Sequence, residues 1–240
     1  MGKIFHAADT RGKADFGWLH SRHTFSFGAY YDPQRIHFGV LRVLNDDIVA
    51  PGHGFPTHAH DNMEIISIPL AGDLEHRDSM GNATVIREGD IQVMSAGTGV
   101  QHSEYNHNKD REVRFLQIWL FPRERQVTPR YDQISLRDLL LPGRFNQILS
   151  PDPQGQGVWI HQDAWFQLGD FQAGQEALYT RQKPGNGVYI FMIEGKATIN
   201  GQAMAPRDGL GLTGPGDIAI RMDSDARILL MEVPLIEGEA

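Results

Sequence analysis

Two short stretches constrain this chain more than anything else in it: Thr57-His58-Ala59-His60 and Gln101-His102-Ser103-Glu104. Each sets two metal-capable side chains two residues apart. On an extended strand alternate side chains point to the same face. Each stretch, as a strand, therefore offers a pair of ligands to one side. Two such strands facing one another inside a barrel bring three imidazoles and one carboxylate to a common point. That donor set suits Fe, Cu, Ni, Zn or Mn better than Ca or Mg. With 11 histidines in 240 residues, some close pairs arise by chance, so a single His-x-His is a weak signal. A second pair in a chain patterned as strands gives it weight.

Composition supports the strand reading. Gly 26 and Pro 13 exceed what a helical protein of this size uses, and 40% hydrophobic residues suffice for real cores. The expected class is all-β, as one large domain or two small ones. The net charge is −8 with no run of Lys or Arg, so there is no nucleic-acid footprint. The absence of cysteine excludes disulfides, thiolate zinc sites and cysteine nucleophiles. No apolar run approaches the ~20 residues of a membrane helix. Met1 to His6 lacks the apolar core of a signal peptide. Gly2 is no myristoylation site, because His6 stands where Ser or Thr is expected. The expectation is a soluble, cytoplasmic protein.

Along the chain, Phe25 and Phe27 alternate with polar residues as on a half-buried strand, and Asp32-Pro33 signals a turn. Phe38 to Leu44 reads as a strand that Asn45-Asp46-Asp47 ends. His58, His60, Glu64, Ile66 and Ile68 share parity, which turns Glu64 toward the same interior as the histidines. Tight turns at Ser79-Met80-Gly81-Asn82 and Glu88-Gly89-Asp90 and a bend at Ser95 to Gly99 lead to the second ligand pair. Arg114 to Phe121 closes the unit.

Five prolines then punctuate a polar stretch over 122–158, with a short helix expected over 134–140. Beyond it an internal repeat emerges: Ile68 to Gly72 resembles Phe191 to Gly195, and Gly97-Thr98-Gly99 resembles Gly214-Pro215-Gly216. The expected organisation is an N-terminal barrel over 1–121 with the metal site, a connection over 122–158, and a C-terminal barrel over 159–240. Aligning the glycines without gaps puts Arg181 and Lys183 opposite His58 and His60, and Ala219 and Arg221 opposite His102 and Glu104. None is a ligand, and His161 is the one histidine of the second half, so that barrel is expected to be metal-free.

Gly52-x5-His58-x-His60-x3-Glu64 with Gly72 is similar to the first cupin motif, with one extra residue before the final glycine. Gly99-x2-His102-x3-Asn106 is similar to the second, although Gly97 stands where that motif has proline. His23-Thr24-Phe25-Ser26-Phe27-Gly28 and Tyr30-Tyr31-Asp32-Pro33 complete a resemblance to the pirin family, from about Gly17 to the C-terminus. The resemblance implies two cupin barrels in one chain and one metal in the first. It also implies His58, His60, His102 and Glu104 as ligands. Glu64 holds the position of the carboxylate ligand in many other cupins. By parity alone Glu64 and Glu104 are both candidates; the resemblance favours Glu104.

The resemblance further implies a quercetin 2,3-dioxygenase. In that reaction Glu104 takes the flavonol 3-hydroxyl proton, dioxygen adds across the heterocycle, and carbon monoxide leaves. Fe(II) is the first expectation, with Cu, Ni, Mn, Co and Zn compatible. The expected partners are a flavonol and dioxygen, with no nucleic acid and no membrane, and the chain is expected to be monomeric. Two rival readings are a metal-bearing regulator of a protein partner and a cupin enzyme of another class, such as an isomerase. Among other residues, His53 reads as a loop residue and His107 as solvated or next to the ligands. His76 reads as structural, and His23 as fixing its strand by a hydrogen bond. Phe25, Phe27, Phe115, Trp119 and Phe121 would suit a flat aromatic ligand, but core packing is the ordinary reading of most of them.

Overall fold

A strand that is apolar on both faces has to be covered on both sides. Two such strands stand at matching places in the computed structural model, which describes residues 2–236. They are Glu64–Ala71 and Asn186–Glu194, buried over most of their length. Each is an inner strand of a seven-stranded sheet. The first sheet runs in the order Arg130–Ser135, Asp90–Ser95, Glu64–Ala71, Val113–Leu120, Leu41–Val49, Leu19–His23, Gly12–Asp15. The second runs Gly2–His6, Gly209–Thr213, Asn186–Glu194, Ala226–Pro234, Trp165–Phe171, Phe145–Ser150, Val158–Trp159.

A four-stranded sheet closes each barrel. It is Gly54–His60, Val100–Asn106, Leu74–Asp78, Ala83–Ile86 in the first and Glu176–Tyr179, Ile218–Met222, Ala197–Ile199, Gln202–Met204 in the second. The matching strand order is the duplication made visible: an all-β chain of two cupin barrels. No helix of the described residues is long and apolar enough to cross a membrane.

Alternation divides the side chains of the large sheets between two cores. Ile66, Ile68, Leu116 and Ile118 face outward and meet Phe166, Tyr189, Phe191 and Leu229 of the other barrel. The inward faces fill the barrels: Val188, Ile190, Met192 and Leu210 in the second, and Leu19, Val49, Leu74 and Phe115 in part of the first.

Several elements differ from the sequence expectation. Gly2–His6 pairs with Gly209–Thr213 of the C-terminal barrel, and Arg130–Ser135 pairs with Asp90–Ser95 of the N-terminal one. Gly2–His6 is mostly exposed and Arg130–Ser135 is polar and half-buried, so neither shows the apolar alternation that marks a strand in sequence. The short helix over 134–140 is absent. Ile134 and Ser135 belong to a strand, and Leu136, Leu139 and Leu140 pack into the layer between the barrels from a turn. Asn45-Asp46-Asp47 does not end its strand, which continues to Val49 because both neighbours pair with it through this stretch. Phe25 leaves the half-buried strand pattern for the inter-barrel layer, and Phe27 makes a bridge with Tyr30.

Glu64 also differs. The chain turns at Asn62, in the left-handed region at φ 47°, and passes from the small sheet to the large one. Parity with the histidines is lost there. Ser67 then faces the barrel interior, and Glu64 shares the opposite face with Ile66 and Ile68. Its carboxylate accepts hydrogen bonds from Ser95 Oγ at 2.8 Å and the His161 amide at 3.2 Å.

Burial pushes Glu64 up from 4.5 to about 7 despite those bonds and Arg130. Between these values the folded state binds more protons than the unfolded one, so this group's contribution to stability falls as pH rises. Glu64→Gln, which stays neutral, should gain roughly 2–3 kcal/mol on wild type between about pH 4 and about pH 8. Urea unfolding at the two pH values measures this. A pH-independent difference would show that the hydrogen bonds outweigh burial.

Candidate metal centre

The first ligand strand is shaped by a bulge. Val100–Asn106 pairs antiparallel with Gly54–His60, His102 opposite His58, but Glu104 lies opposite Phe55. The extra residue falls between Phe55 and His58, where Pro56 has no amide to lose from the ladder. The Pro56 carbonyl accepts a hydrogen bond from His58 Nδ1 at 2.8 Å. That bond sets the tautomer and leaves Nε2 free as a ligand atom. Gly54 lets the strands close at the end of the bulge, since a Cβ there would stand 2.2 Å from the Glu104 carbonyl oxygen.

His58, His60 and His102 converge, each offering a nitrogen within 4.8 Å of the other two. His58 Nε2 and His102 Nε2 are 3.0 Å apart. Two nitrogens about 2.1 Å from one ion and at right angles are separated by about this distance. His60 Nε2 is buried with no protein partner, and its ring stands edge-on to Trp119 at 4.9 Å. Burial, followed by neighbouring histidines, lowers His60 to about 4 and His102 to about 2. These imidazoles are neutral at physiological pH, the form a cation requires. Crowded neutral imidazoles and an orphaned nitrogen fit a bound transition metal.

Glu104 follows His102 on the same strand and is buried. It accepts hydrogen bonds from Ser67 Oγ at 3.0 Å and Gln117 Nε2 at 2.6 Å. Its oxygens lie within 4.8 Å of His102 and His76, in a second cluster that shares His102 with the first. Burial pushes it up to about 7, although both hydrogen bonds favour the charged form. His76 stacks on Tyr131 and bonds Asp78 through Nε2 at 3.0 Å. Expected to be structural, it makes these contacts beside the ligand cluster, 5.4 Å from the His102 ring.

The cluster lines a cavity of about 310 Å³, together with Tyr30 and the exposed Lys13 and Phe16. Such a volume is at the small end for organic ligands. Phe27, Phe55 and Trp119 supply its aromatic walls. Phe115 lies with the apolar core below, and Phe25 between the barrels. His53 stacks on Trp18 and His107 bonds Glu75, both away from the cavity lining. His23 does line the cavity, with Nδ1 unpartnered, and so does not make the strand-fixing bond expected of it. Sequence reasoning missed Ser21, Asn45, Asp47 and Gln117, which share this cavity. The available signal was Val43-x-Asn45-x-Asp47: had the strand been carried on, parity would have put both polar residues on one face.

Comparison with known proteins agrees with this architecture. The Pirin family profile matches residues 5–120, and the profile of the quercetinase C-terminal cupin domain matches residues 147–233. Quercetin 2,3-dioxygenase of Escherichia coli (strain K12) is 42% identical over 231 residues, covering 95% of this chain and 96% of the relative. The chain belongs to the pirin family. The crystal structure of the bacterial pirin YhhW from Escherichia coli in complex with nickel(II) has TM-score 0.92 at 38% identity, covering 98% of this pirin and 100% of that chain. A pirin-like protein of Caulobacter vibrioides is 36% identical, over 93% of this chain and 96% of its own.

The second barrel of this pirin carries other residues at the positions of the first barrel's ligand strands. Strand register puts Ile220 and Met222 in the places of His102 and Glu104, and Ala177 and Tyr179 in those of His58 and His60. All four lie in or against the apolar core. The gapless alignment that chose Ala219 and Arg221 was off by one; both of those side chains face out.

Each of His58→Ala and His102→Ala should lower the metal content of the reconstituted protein at least ~10-fold, since even partners behind the ligands are worth that much. Elemental analysis after dialysis measures it. Full retention in both variants would rule the cluster out as the metal site.

Proposed function

We propose that this pirin is a metal-dependent dioxygenase that opens the heterocyclic ring of a flavonol such as quercetin and releases carbon monoxide. His58, His60, His102 and Glu104 are the proposed metal ligands, and Glu104 is also the proposed base. The observation that carries the reading is the three-histidine cluster in the wall of a cavity lined by aromatic rings. The activity in the names of several relatives supports the same reading.

A bound divalent metal would supply Lewis acidity and a place to orient substrate and dioxygen. The protein does the rest. Phe27 and Trp119, edge to face at 5.4 Å, give a flat ring two walls at right angles. Glu104 is poised near neutrality, where a base most readily takes a hydroxyl proton. Ser67 and Gln117 hold its two oxygens separately, so the carboxylate keeps its orientation as it takes the proton. Fe(II) is the ion proposed from the donor set, and Ni(II) the next, because a related pirin has been crystallised with nickel.

The test follows flavonol absorbance, oxygen uptake and carbon monoxide together in protein reconstituted with Fe(II) or Ni(II). Wild type should consume flavonol and oxygen in equal amounts with matching release of carbon monoxide. Glu104→Gln should lose at least ~100-fold in turnover, the scale of a positioned base, and Glu64→Gln should stay within several-fold. Oxygen uptake without carbon monoxide would exclude this ring cleavage. The reverse order of the two variants would rule Glu104 out as the base.

A further inference from the structure

One wall of the cavity belongs to neither metal-capable cluster. The strands Leu19–His23, Leu41–Val49 and Val113–Leu120 lie side by side, and their register puts Ser21 opposite Asp47, His23 opposite Asn45, and Asn45 opposite Gln117. All five line the cavity. Lower in the same barrel the inward positions are apolar, with Leu19, Val49 and Phe115. The upper wall is therefore a polar ladder across three strands, where a barrel needing only stability would continue its apolar core.

The ladder is incompletely bonded within the protein. Ser21 Oγ donates to Asp47 Oδ1, and Gln117 donates to Glu104. Asn45 Oδ1 and His23 Nδ1 are buried with no protein partner, and so is Trp119 Nε1 beside them. Asn45 is 2% exposed and His23 4%. A buried polar atom without a hydrogen bond keeps its full desolvation cost, so three on one wall call for a partner from outside the chain. The Asn45 amide and the His23 ring can each present either polar atom by a half-turn.

We propose that Ser21, His23, Asn45 and Asp47 form a second recognition site within this cavity, which binds hydroxyl groups on the part of an aromatic substrate that does not react. The inference rests on the dioxygenase reading above and adds the selection of substrate. A phenolic hydroxyl both donates and accepts, so it meets the Asp47 and Asn45 oxygens and the Trp119 N–H alike. Phe27 stands edge-on to His23 at 5.2 Å and to Trp119 at 5.4 Å, which frames a flat ring beside the ladder. Asp47 shares the cavity with Glu104, so an anionic ring substituent meets two carboxyl groups and is disfavoured. The site therefore selects a neutral polyhydroxylated aromatic over the bare ring system and over an aromatic acid.

The experiment compares quercetin with 3-hydroxyflavone, which keeps the reacting ring and lacks the other hydroxyls. Binding to metal-loaded wild type, Asn45→Leu and Asp47→Asn is titrated without oxygen by tryptophan fluorescence; air is then admitted and oxygen uptake recorded. Metal content and circular dichroism establish that each variant is loaded and folded, and Asp47→Asn preserves shape where Asn45→Leu does not. Wild type should bind quercetin at least ~10-fold more tightly, and each variant should narrow that ratio by roughly 5–10-fold, the scale of one lost hydrogen bond. Equal affinities in wild type, or variants that weaken both ligands alike, would overturn the recognition site even if oxygen is consumed. The expected ratios without oxygen uptake would support the site and overturn the dioxygenase reading.

Discussion

The apolar layer between the two seven-stranded sheets is the interaction on which the rest of this molecule depends. Each large sheet has two faces to cover, and its barrel covers only one. The outward faces cover each other, with Phe166, Tyr189, Phe191, Leu229 and Met231 of one barrel against Ile66, Ile68, Leu116 and Ile118 of the other. Edge strands exchanged between the two halves tie the layer together: Gly2–His6 joins the second sheet and Arg130–Ser135 the first. Most of the hydrophobic stabilisation of the first barrel can thus come from its outside, which leaves part of its inside for polar groups.

The interior of that barrel is divided accordingly. Leu19, Val49, Leu74, Ile86 and Phe115 fill one part, and imidazoles, carboxyls and amides occupy the other. Burial among so many titratable groups moves them toward neutrality. His60 and His102 are pushed down, while Asp47 and Glu104 are pushed up to about 7. For Asp47 burial is again the first cause, with Asp46 and Glu104 adding to it against the Ser21 hydroxyl. Neutral imidazoles beside half-ionised carboxyls are a poor design for stability and a suitable one for receiving a cation and a hydroxyl proton. The second barrel, with Ala177, Tyr179, Ile220 and Met222 at the corresponding places, shows the alternative of apolar packing there.

Two kinds of information were legible in the chain. His58-x-His60 and His102-x-Glu104 announce paired ligands because strand alternation is a local rule, and the glycine-marked repeat announces two barrels because turns are local too. What was not legible depends on which strands become neighbours. Glu64 has the parity of a ligand but lies beyond a turn at Asn62 that moves the chain from one sheet to the other, so its side chain ends between the barrels. Asn45 and Asp47 read as the polar end of a strand, yet pairing with Leu19–His23 and Val113–Leu120 carries that strand through them and aims them into the cavity. Leu136, Leu139 and Leu140 have helical spacing but are held in a turn by the apolar layer they enter.

The sequence by itself determined the all-β class, the duplication, and the residue types able to meet a metal, since these follow from composition, alternation and spacing along one strand. Only the tertiary structure decided which carboxyl faces the histidines, which polar residues share their cavity, and where each barrel takes its edge strand. Those choices rest on contacts between strands far apart in the chain. A one-residue bulge at Pro56 or a turn at Asn62 reverses the face of everything beyond it, and no local pattern records the reversal.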